Sequence, residues 1–295
     1  MLPIPPMVSI IIPTYNRPDQ LFSCLQAINR LTYPSNRFEV IVIDDGSRTP
    51  LDRTIEHFSH RMAITLISQR NSGPATARNR GAAEAKGEIL AFTDDDCTPS
   101  TGWLQAIADA FRDAPDCGIG GKTINLLTNN LYAETSQILL DYLYEYYNQD
   151  SQAPRFFASN NLAFSRNDFL TSGGFNPTYR VPAGEDRELC DRWTAQGRRL
   201  RFAPDAVVFH AHLLNGRTLW RQHFNYGKGA FFFHHMKVRP EWEPLTFYLK
   251  LVIYPFSLFS WKRAIVVAPL LIITQVANTC GYFMEWSRAL MGRVD

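Results

Sequence analysis

The sequence predicts an α/β fold with a central, mostly parallel sheet flanked by helices, followed by an apolar helical tail. From Met7 to about Arg112, short runs rich in Val, Ile, Leu and Phe alternate with stretches of helical periodicity, as in successive βαβ units. Three of these runs are followed at once by polar residues. Parallel strands would gather those residues at one edge of the sheet, where open α/β sheets bind ligands.

Four apolar runs are the candidate strands: VSIIIP, FEVIVIDD, MAITLIS and EILAFTDDD. Each is nearly continuous, so we expect central strands covered on both faces rather than edge strands. The spacing of Leu21, Leu25 and Ile28 predicts the first crossover helix. The stretch GPATARNRGAAEAK predicts a second, since proline favours a first helical turn and a glycine follows its end. A longer aromatic-rich helix is predicted from Leu131 to Tyr147.

Composition limits the function classes. The chain has 295 residues, with 30 basic and 28 acidic side chains and a formal charge of +2, which argues against a nucleic-acid binder driven by bulk charge. Its 45% hydrophobic residues are typical of a globular protein. The five scattered cysteines form no CxxC pair, so we expect reduced thiols, and the N-terminal run lacks the basic region of a secretory signal. These features favour a cytosolic main domain.

Two acidic clusters follow candidate strands. Asp94, Asp95 and Asp96 would repel one another unless a cation compensates, and Mg²⁺ or Mn²⁺ bridging a diphosphate would do so. The alternative is a solvated turn after the strand. Asp44 and Asp45 follow the second run and could accept hydrogen bonds from a base or ribose, although a plain strand-to-loop turn is the usual meaning of DDGS.

A third cluster, Glu185 and Asp186, opens the helical stretch DRELCDRWTAQG. Acidic residues are favoured in a first helical turn by the helix dipole, so capping is one interpretation. The other is that one of these carboxylates acts as general base on an incoming hydroxyl. Further along, His210 and His212 alternate at the end of an apolar run and could approach a metal or phosphate from one face of a strand.

Five segments together resemble glycosyltransferase family 2, whose members have a GT-A-type nucleotide-sugar-binding fold. They are VSIIIPTYNRPDQL, VIVIDDGS, GPATARNRGAAEAKGEILAFTDDDC, SNNLAFSRNDFLTSGGF and GEDRELCDRW. The resemblance extends from about Met7 to Gly229. It implies transfer of a sugar from a nucleotide donor, most often a UDP-sugar, to an acceptor hydroxyl with inversion at the anomeric carbon.

The resemblance also implies roles for individual residues. The residues that it assigns to the nucleotide-sugar site are Thr14, Tyr15, Arg17, Asp44, Asp45, Arg78, Asn79, Asp94 and Asp95. Asp96 matches the metal ligand of the DxD motif, and Asp94 and His210 are the further candidate ligands for Mn²⁺ or Mg²⁺. Asp186 matches the catalytic base, with Glu185 as its companion.

On this basis, residues 1–240 are expected to form the glycosyltransferase domain. Residues 1–112 would be its nucleotide-binding half and 113–240 its acceptor and catalytic half, with 241–295 as a membrane-associated tail. The run from Ala264 to Met284 has 21 uncharged residues, which is enough to cross a bilayer. We therefore expect membrane association through residues 245–286, at the cytoplasmic face of the plasma membrane. The alternative is that these helices cover the domain or form a dimer interface.

The implied partners are a nucleotide-sugar donor and a glycan or lipid-linked acceptor, in cell-envelope or exopolysaccharide synthesis. The absence of a QxxRW motif argues against processive synthesis. The sequence leaves two alternative functions open. One is a catalytically silent nucleotide-sugar-binding scaffold of a glycan assembly complex. The other is a nucleotidyltransferase, for which the sequence offers no GxxxxGK[ST] loop.

Overall fold

The structure is a computed structural model that describes residues 4–181, 183–236 and 242–292. The strands in these ranges are β1 (Val8–Thr14), β2 (Phe38–Asp44), β3 (Ile64–Ser68), β4 (Ile89–Phe92), β5 (Cys97–Pro99), β6 (Cys117–Asn125), β7 (Leu162–Ser165) and β8 (Arg199–His210). The helices are α1 (Pro18–Ile28), α2 (Asp52–Ser59), α3 (Pro74–Glu84), α4 (Trp103–Asp113), α5 (Leu131–Tyr147), α6 (Arg166–Thr171), α7 (Glu185–Ala195), α8 (Gly216–Met236), α9 (Leu245–Ile253), α10 (Pro255–Leu258) and α11 (Trp261–Leu290).

The strands form one mixed sheet in the order β3-β2-β1-β4-β7-β6-β8-β5. The first four are parallel to one another, as are β6 and β8, whereas β7 and β5 pair antiparallel with their neighbours. This arrangement confirms the predicted mostly parallel sheet flanked by helices. In the β1–β2 register Thr14 is opposite Asp44, so the polar residues that follow the two strands start from neighbouring positions.

One strand prediction is wrong. β3 is an edge strand, whereas all four apolar runs were expected to be central. Its Thr65 and Ser68 are exposed and its Ile64 and Leu66 are only half-buried. A strand with a neighbour on one side alone needs less apolar surface, and the two hydroxyl residues in this run reflect that.

The predicted crossover helices are confirmed. Leu21, Leu25 and Ile28 of α1 are buried against the sheet, which accounts for their helical spacing. α3 begins after Gly73, whose φ of 88° is a conformation that few residues other than glycine adopt. The structure also gives α5 the predicted bounds, Leu131–Tyr147.

Two compact units divide the chain. The first consists of Met1–Leu126, Tyr147–Arg180 and Asp186–Ala211 and contains the sheet. The second consists of Leu127–Tyr146, Val181–Glu185 and His212–Asp295 and is helical in its described part. The boundary predicted at residue 240 lies outside the described residues.

The helical unit has its own apolar core. Its buried members come from α5, α9 and α11, and they are Ile138, Leu139, Tyr142, Phe247, Leu251, Val267 and Leu271. The Tyr142 hydroxyl donates a buried hydrogen bond of 2.7 Å to the Phe247 carbonyl. The first half of the tail therefore packs on α5 within the helical unit.

Candidate functional site

The acidic triplet Asp94–Asp96 follows β4 and is held by two arginine side chains and one hydroxyl group. Thr14 Oγ1 donates to Asp95 Oδ2 at 2.7 Å. One nitrogen of Arg17, Nη1, lies 3.1 Å from Asp95 Oδ1 and 3.0 Å from Asp96 Oδ2. On the other side of the triplet, Arg78 Nη2 donates to Asp94 Oδ1 at 2.6 Å. Two arginines thus offset the repulsion that the sequence predicts for three adjacent carboxylates.

Burial changes the proton affinities of this cluster. Burial raises the pKa of Asp95 to about 6, although Arg17 and the Thr14 hydroxyl oppose the increase. Burial alone would lower the pKa of His210, but the carboxylate of Asp96, 3.2 Å from His210 Nε2, outweighs it and the pKa is raised overall. The protonation of His210 and that of Asp96 are therefore coupled.

Asp96, Cys97 and His210 form a group that could hold a metal ion. Their ligand atoms lie within 4.8 Å of one another. The antiparallel β5–β8 pairing sets Cys97 opposite His210, and the Ala211 amide donates to the Asp96 carbonyl at 2.8 Å. Burial raises the pKa of the Cys97 thiol well above its usual value, which leaves the carboxylate and the imidazole as the readier ligands for a divalent cation that accepts oxygen and nitrogen.

Two points about this group differ from the sequence-based expectation. Asp94, a candidate metal ligand, is paired with Arg78, and the metal-compatible group contains Cys97 in its place. In the sequence Cys97 is only one of five scattered cysteines, all of which are free in the structure. The sequence feature that could have marked Cys97 as a candidate ligand is its position directly after Asp96. His212, the other candidate histidine, lies beyond the end of β8.

Asp44 stabilises the turn that follows β2, and Asp45 ties that turn to the loop between β3 and α3. Asp45 Oδ1 accepts from Gln69 Nε2 at 2.8 Å and from the Ser72 amide at 2.9 Å, while Oδ2 accepts from the Gly73 amide at 2.9 Å. Asp44 Oδ1 accepts from the Ser47 amide at 2.8 Å. Three donors fill three of the roughly four lone-pair positions of the Asp45 carboxylate. Asp45 therefore fixes the backbone at the start of α3.

The two residues predicted on α3 act differently. Arg78 is buried, reaches Asp94, and has its guanidinium carbon 5.3 Å from the centre of the Phe175 ring. The side-chain amide of Asn79 donates to the Phe175 carbonyl at 2.6 Å and accepts from the Phe175 amide at 2.8 Å. Asn79 thus orders the segment around Phe175, whereas Arg78 delivers positive charge to the acidic cluster. Tyr15, by contrast, is exposed.

The acidic pair stands at the start of α7. Glu185 is buried and its Oε2 accepts from the Ala183 amide at 2.9 Å. Asp186 is half-buried, and its Oδ2 accepts from the Ser159 amide at 3.3 Å. The same carboxylate accepts from the Arg187 amide through Oδ1 at 2.8 Å. Both carboxylates thus accept from backbone amides around the start of α7.

Comparisons with known proteins match this fold. The sequence profile described as glycosyl transferase family 2 matches residues 9–172, more than half of the chain, and one described as the N-terminal domain of galactosyltransferase matches residues 141–213. The chain therefore belongs to glycosyltransferase family 2, and it is a transferase.

Curated relatives support sugar transfer. Glycosyltransferase AglE of Haloferax volcanii is 31% identical over 226 residues, which are 76% of this chain and 73% of AglE. The pre-mycofactocin glycosyltransferase of Mycobacterium tuberculosis is 28% identical over 227 residues, or 76% of this chain and 46% of that protein. The chain thus spans less than half the length of the second relative.

Solved structures share the GT-A-type fold. The mannosyltransferase PcManGT from Pyrobaculum calidifontis, in complex with GDP-Man and Mn²⁺, has a TM-score of 0.65 at 20% identity, covering 93% of this chain and 87% of its own. S. aureus TarS 1-349 in complex with UDP-GlcNAc has a TM-score of 0.57 at 14% identity, covering 97% of this chain and 92% of its own. At these identities the likeness establishes the fold.

Proposed function

We propose that this protein is an inverting, metal-dependent glycosyltransferase. It moves a sugar from a nucleotide-sugar donor, with UDP as the first nucleotide to test, to a hydroxyl of a glycan or lipid-linked acceptor in cell-envelope or exopolysaccharide synthesis. The observation that carries the proposal is the cluster in which Arg17 bridges Asp95 and Asp96 while His210 faces Asp96.

The donor site is built from residues after β1, β2 and β4. Asp96 and His210 would hold Mn²⁺ or Mg²⁺. Asp94, two residues before Asp96, is the further candidate ligand. When bound, such a cation supplies a Lewis acid that stabilises the leaving diphosphate. Arg17 and Thr14 hold Asp95 in place, and Arg78 supplies a second positive charge beside Asp94. Tyr15, Asp44, Asp45 and Asn79 complete the proposed nucleotide site as loop-forming and contact residues.

The proposed base is Asp186. Two backbone amides fix its carboxylate while it stays partly accessible to solvent, which suits a group that takes the proton of an acceptor hydroxyl. Glu185 is tied to the Ala183 amide, so its proposed role is to shape the turn that presents Asp186. With one base and one cation, the displacement needs no covalent sugar intermediate.

The domain division and cellular site are part of the proposal. Residues 1–240 form the glycosyltransferase domain, with the donor half in 1–112 and the acceptor half in 113–240, and residues 241–295 form the tail. Trp261–Leu290 is long and apolar enough to cross a membrane by length and composition. We place the protein at the cytoplasmic face of the plasma membrane, attached through residues 245–286.

A thermal-shift screen tests the donor site. The detergent-solubilised protein is heated with UDP, GDP, dTDP or CDP, each with and without Mn²⁺ or Mg²⁺. A ligand that binds only the folded state stabilises it by about 2.7 kcal/mol at a hundredfold excess over its Kd. We expect one diphosphate to raise the Tm only with metal. No shift with any diphosphate would contradict the proposal and favour a silent scaffold.

Two variants separate binding from catalysis. Asp96→Ala should lose the metal-dependent shift, because it removes the carboxylate that faces His210. Asp186→Asn should keep the shift and lose sugar transfer, measured as release of nucleoside diphosphate with an acceptor extract. Asp205→Ala, at an exposed position of β8, is the control for loss of a carboxylate. Equal loss of donor binding in Asp96→Ala and Asp186→Asn would refute this division of roles.

A further inference from the structure

We propose that α11 lies in the plane of an anionic membrane surface, with one face in lipid and the other against the protein, and does not cross the bilayer. The inference rests on the membrane association proposed above and specifies its geometry. It follows from three properties of α11: an uncharged outer face, an inner face occupied by protein, and the position of its charges.

The outer face of α11 is apolar over most of its length. Its large exposed apolar side chains are Trp261, Ile265, Val266, Ile272, Ile273, Val276, Phe283, Trp286 and Leu290. At 100° per residue these positions fall on one side of the helix. Between Arg263 and Glu285 the sequence has no charged residue, and 21 residues of helix measure about 30 Å. An exposed apolar strip of this length marks a surface that is covered in the working protein.

The inner face packs on α8 at close range. A Cβ on Gly227 of α8 would overlap the carbonyl of Asn278, and a Cβ on Gly281 would overlap the carbonyl of Phe224. Further along, Lys228 Nζ lies 3.3 Å from the buried carboxylate of Glu285. The two helices therefore behave as one packed pair.

This packing argues against a spanning orientation. If α11 crossed the bilayer, α8 would enter the hydrocarbon with it. α8 carries Arg217, Arg221, Lys228 and three histidines, and charged groups in hydrocarbon are costly. A helix lying in the interface keeps α8 on the water side and still buries the outer face of α11 in lipid.

The charges and tryptophans around the strip favour lipid over a second copy of the chain. Residues 242–292 contain four basic and two acidic side chains, and the acidic Glu285 is paired with Lys228 and Arg288. Lys262 is exposed at the start of α11, and Lys250 is exposed on α9. These cations would repel the same face of another copy and attract anionic headgroups. Trp261 and Trp286, both exposed, stand at the two ends of the strip, as interfacial anchors do.

Depth-dependent quenching tests the orientation. In a Cys280→Ser background, single cysteines replace Ile265, Val276 or Leu290, because the other four native cysteines are buried. Each is labelled with a polarity-sensitive fluorophore and bound to phosphatidylcholine vesicles containing phosphatidylglycerol. Lipid-attached quenchers then report the depth of each label. An in-plane helix predicts the same shallow depth for all three labels.

Two other results of the quenching experiment would overturn different parts of the proposal. A label at residue 276 much deeper than those at 265 and 290 would overturn the in-plane orientation and leave membrane association intact. Absence of vesicle binding would overturn the association itself, and light scattering would then show whether a dimer covers the strip. The nucleoside diphosphate shift is measured on the same samples, so failure of the donor site is detected separately.

Substitutions on the strip give a second test. Ile272→Glu and Val276→Glu place a charge on the outer face, and we expect each to lower vesicle partitioning at least about tenfold. Leu170→Glu is the matched control, because Leu170 is 42% exposed and Val276 is 47% exposed. It should bind vesicles like the unaltered protein. Circular dichroism melts verify that each variant folds. Unchanged flotation of both strip variants would overturn the proposal.

Discussion

His223, in the middle of α8, gives a sharp prediction about acid stability. The residue is buried, and among the described residues neither ring nitrogen has a hydrogen-bond partner. Burial, with a smaller effect from His212, lowers the pKa of His223 to about 4. Its charged form is therefore excluded from the folded state over a pH range in which an unfolded histidine readily takes up a proton.

The direction and size of the change in stability with pH follow from proton linkage. Because the pKa is lower in the folded state, the unfolded state binds the extra proton, and stability is lost as pH falls through about 6.5 toward about 4. The two pKa values of His223, unfolded and folded, differ by about 2.5, which corresponds to about 3 kcal/mol in the free energy of unfolding. About 2 kcal/mol of this is lost between pH 7 and pH 5. The ring is almost completely buried, so solvent screens the effect very little.

The test compares His223→Leu with the unaltered protein. Leucine fills the site without a titrating group, so the variant should lose about 2 kcal/mol less stability than the unaltered protein between pH 7 and pH 5. Melting of both proteins in the same mild detergent at the two pH values measures this, and the unaltered protein should show the larger decrease in Tm. Equal decreases in the two proteins would refute the assignment of a buried, neutral His223.

Three further predictions concern packing and charge. Arg17→Gln should lower the stability of the metal-free protein by about 1–2 kcal/mol, a modest loss because the Arg17 side chain is 44% exposed. Mn²⁺ should restore most of this stability. A loss that Mn²⁺ does not relieve would contradict the role of Arg17 in offsetting the acidic charges. Gly73→Ala should cost at least about 1–2 kcal/mol in melts because of its positive φ, whereas Gly102→Ala, in open space, should be nearly neutral. Lys228→Met should destabilise by about 1–2 kcal/mol, less than the roughly 3 kcal/mol expected when a buried charge loses its only partner, because Arg288 still pairs with Glu285. The double variant with Glu285→Leu should recover much of this loss, which urea unfolding can measure.

The sequence contains enough information to predict half of the sheet. β1, β2 and β4 are short, continuous apolar runs whose pattern reflects burial on both faces. β6 and β7 are harder to predict, because CGIGGKTIN is rich in glycine and LAFS has only four residues. Those glycines make room for aromatic side chains, since a Cβ on Gly120 would overlap the ring of Phe157. Only the three-dimensional arrangement reveals that requirement.

The candidate site divides in the same way. Local sequence marks the carboxylates that end β2 and β4, because adjacent acidic residues after an apolar strand are unusual. The meeting of Cys97 with His210 depends on pairing between β5 and β8, which are about a hundred residues apart, and no local pattern encodes it. Likewise, the length and hydropathy of α11 are legible in the sequence, but which of its faces packs on α8 depends on contacts with Gly227 and Phe224.

The glycine contacts between α8 and α11 also decide how this protein should be produced. Deleting the chain from Trp261 onward would uncover Gly227 and the backbone around Phe224, and would leave Lys228 without Glu285. A shortened chain would thus exchange one apolar surface for another and would aggregate. Polar replacement of outer-face side chains such as Val276 keeps that packing, and it is the better route to a detergent-free preparation for crystallisation.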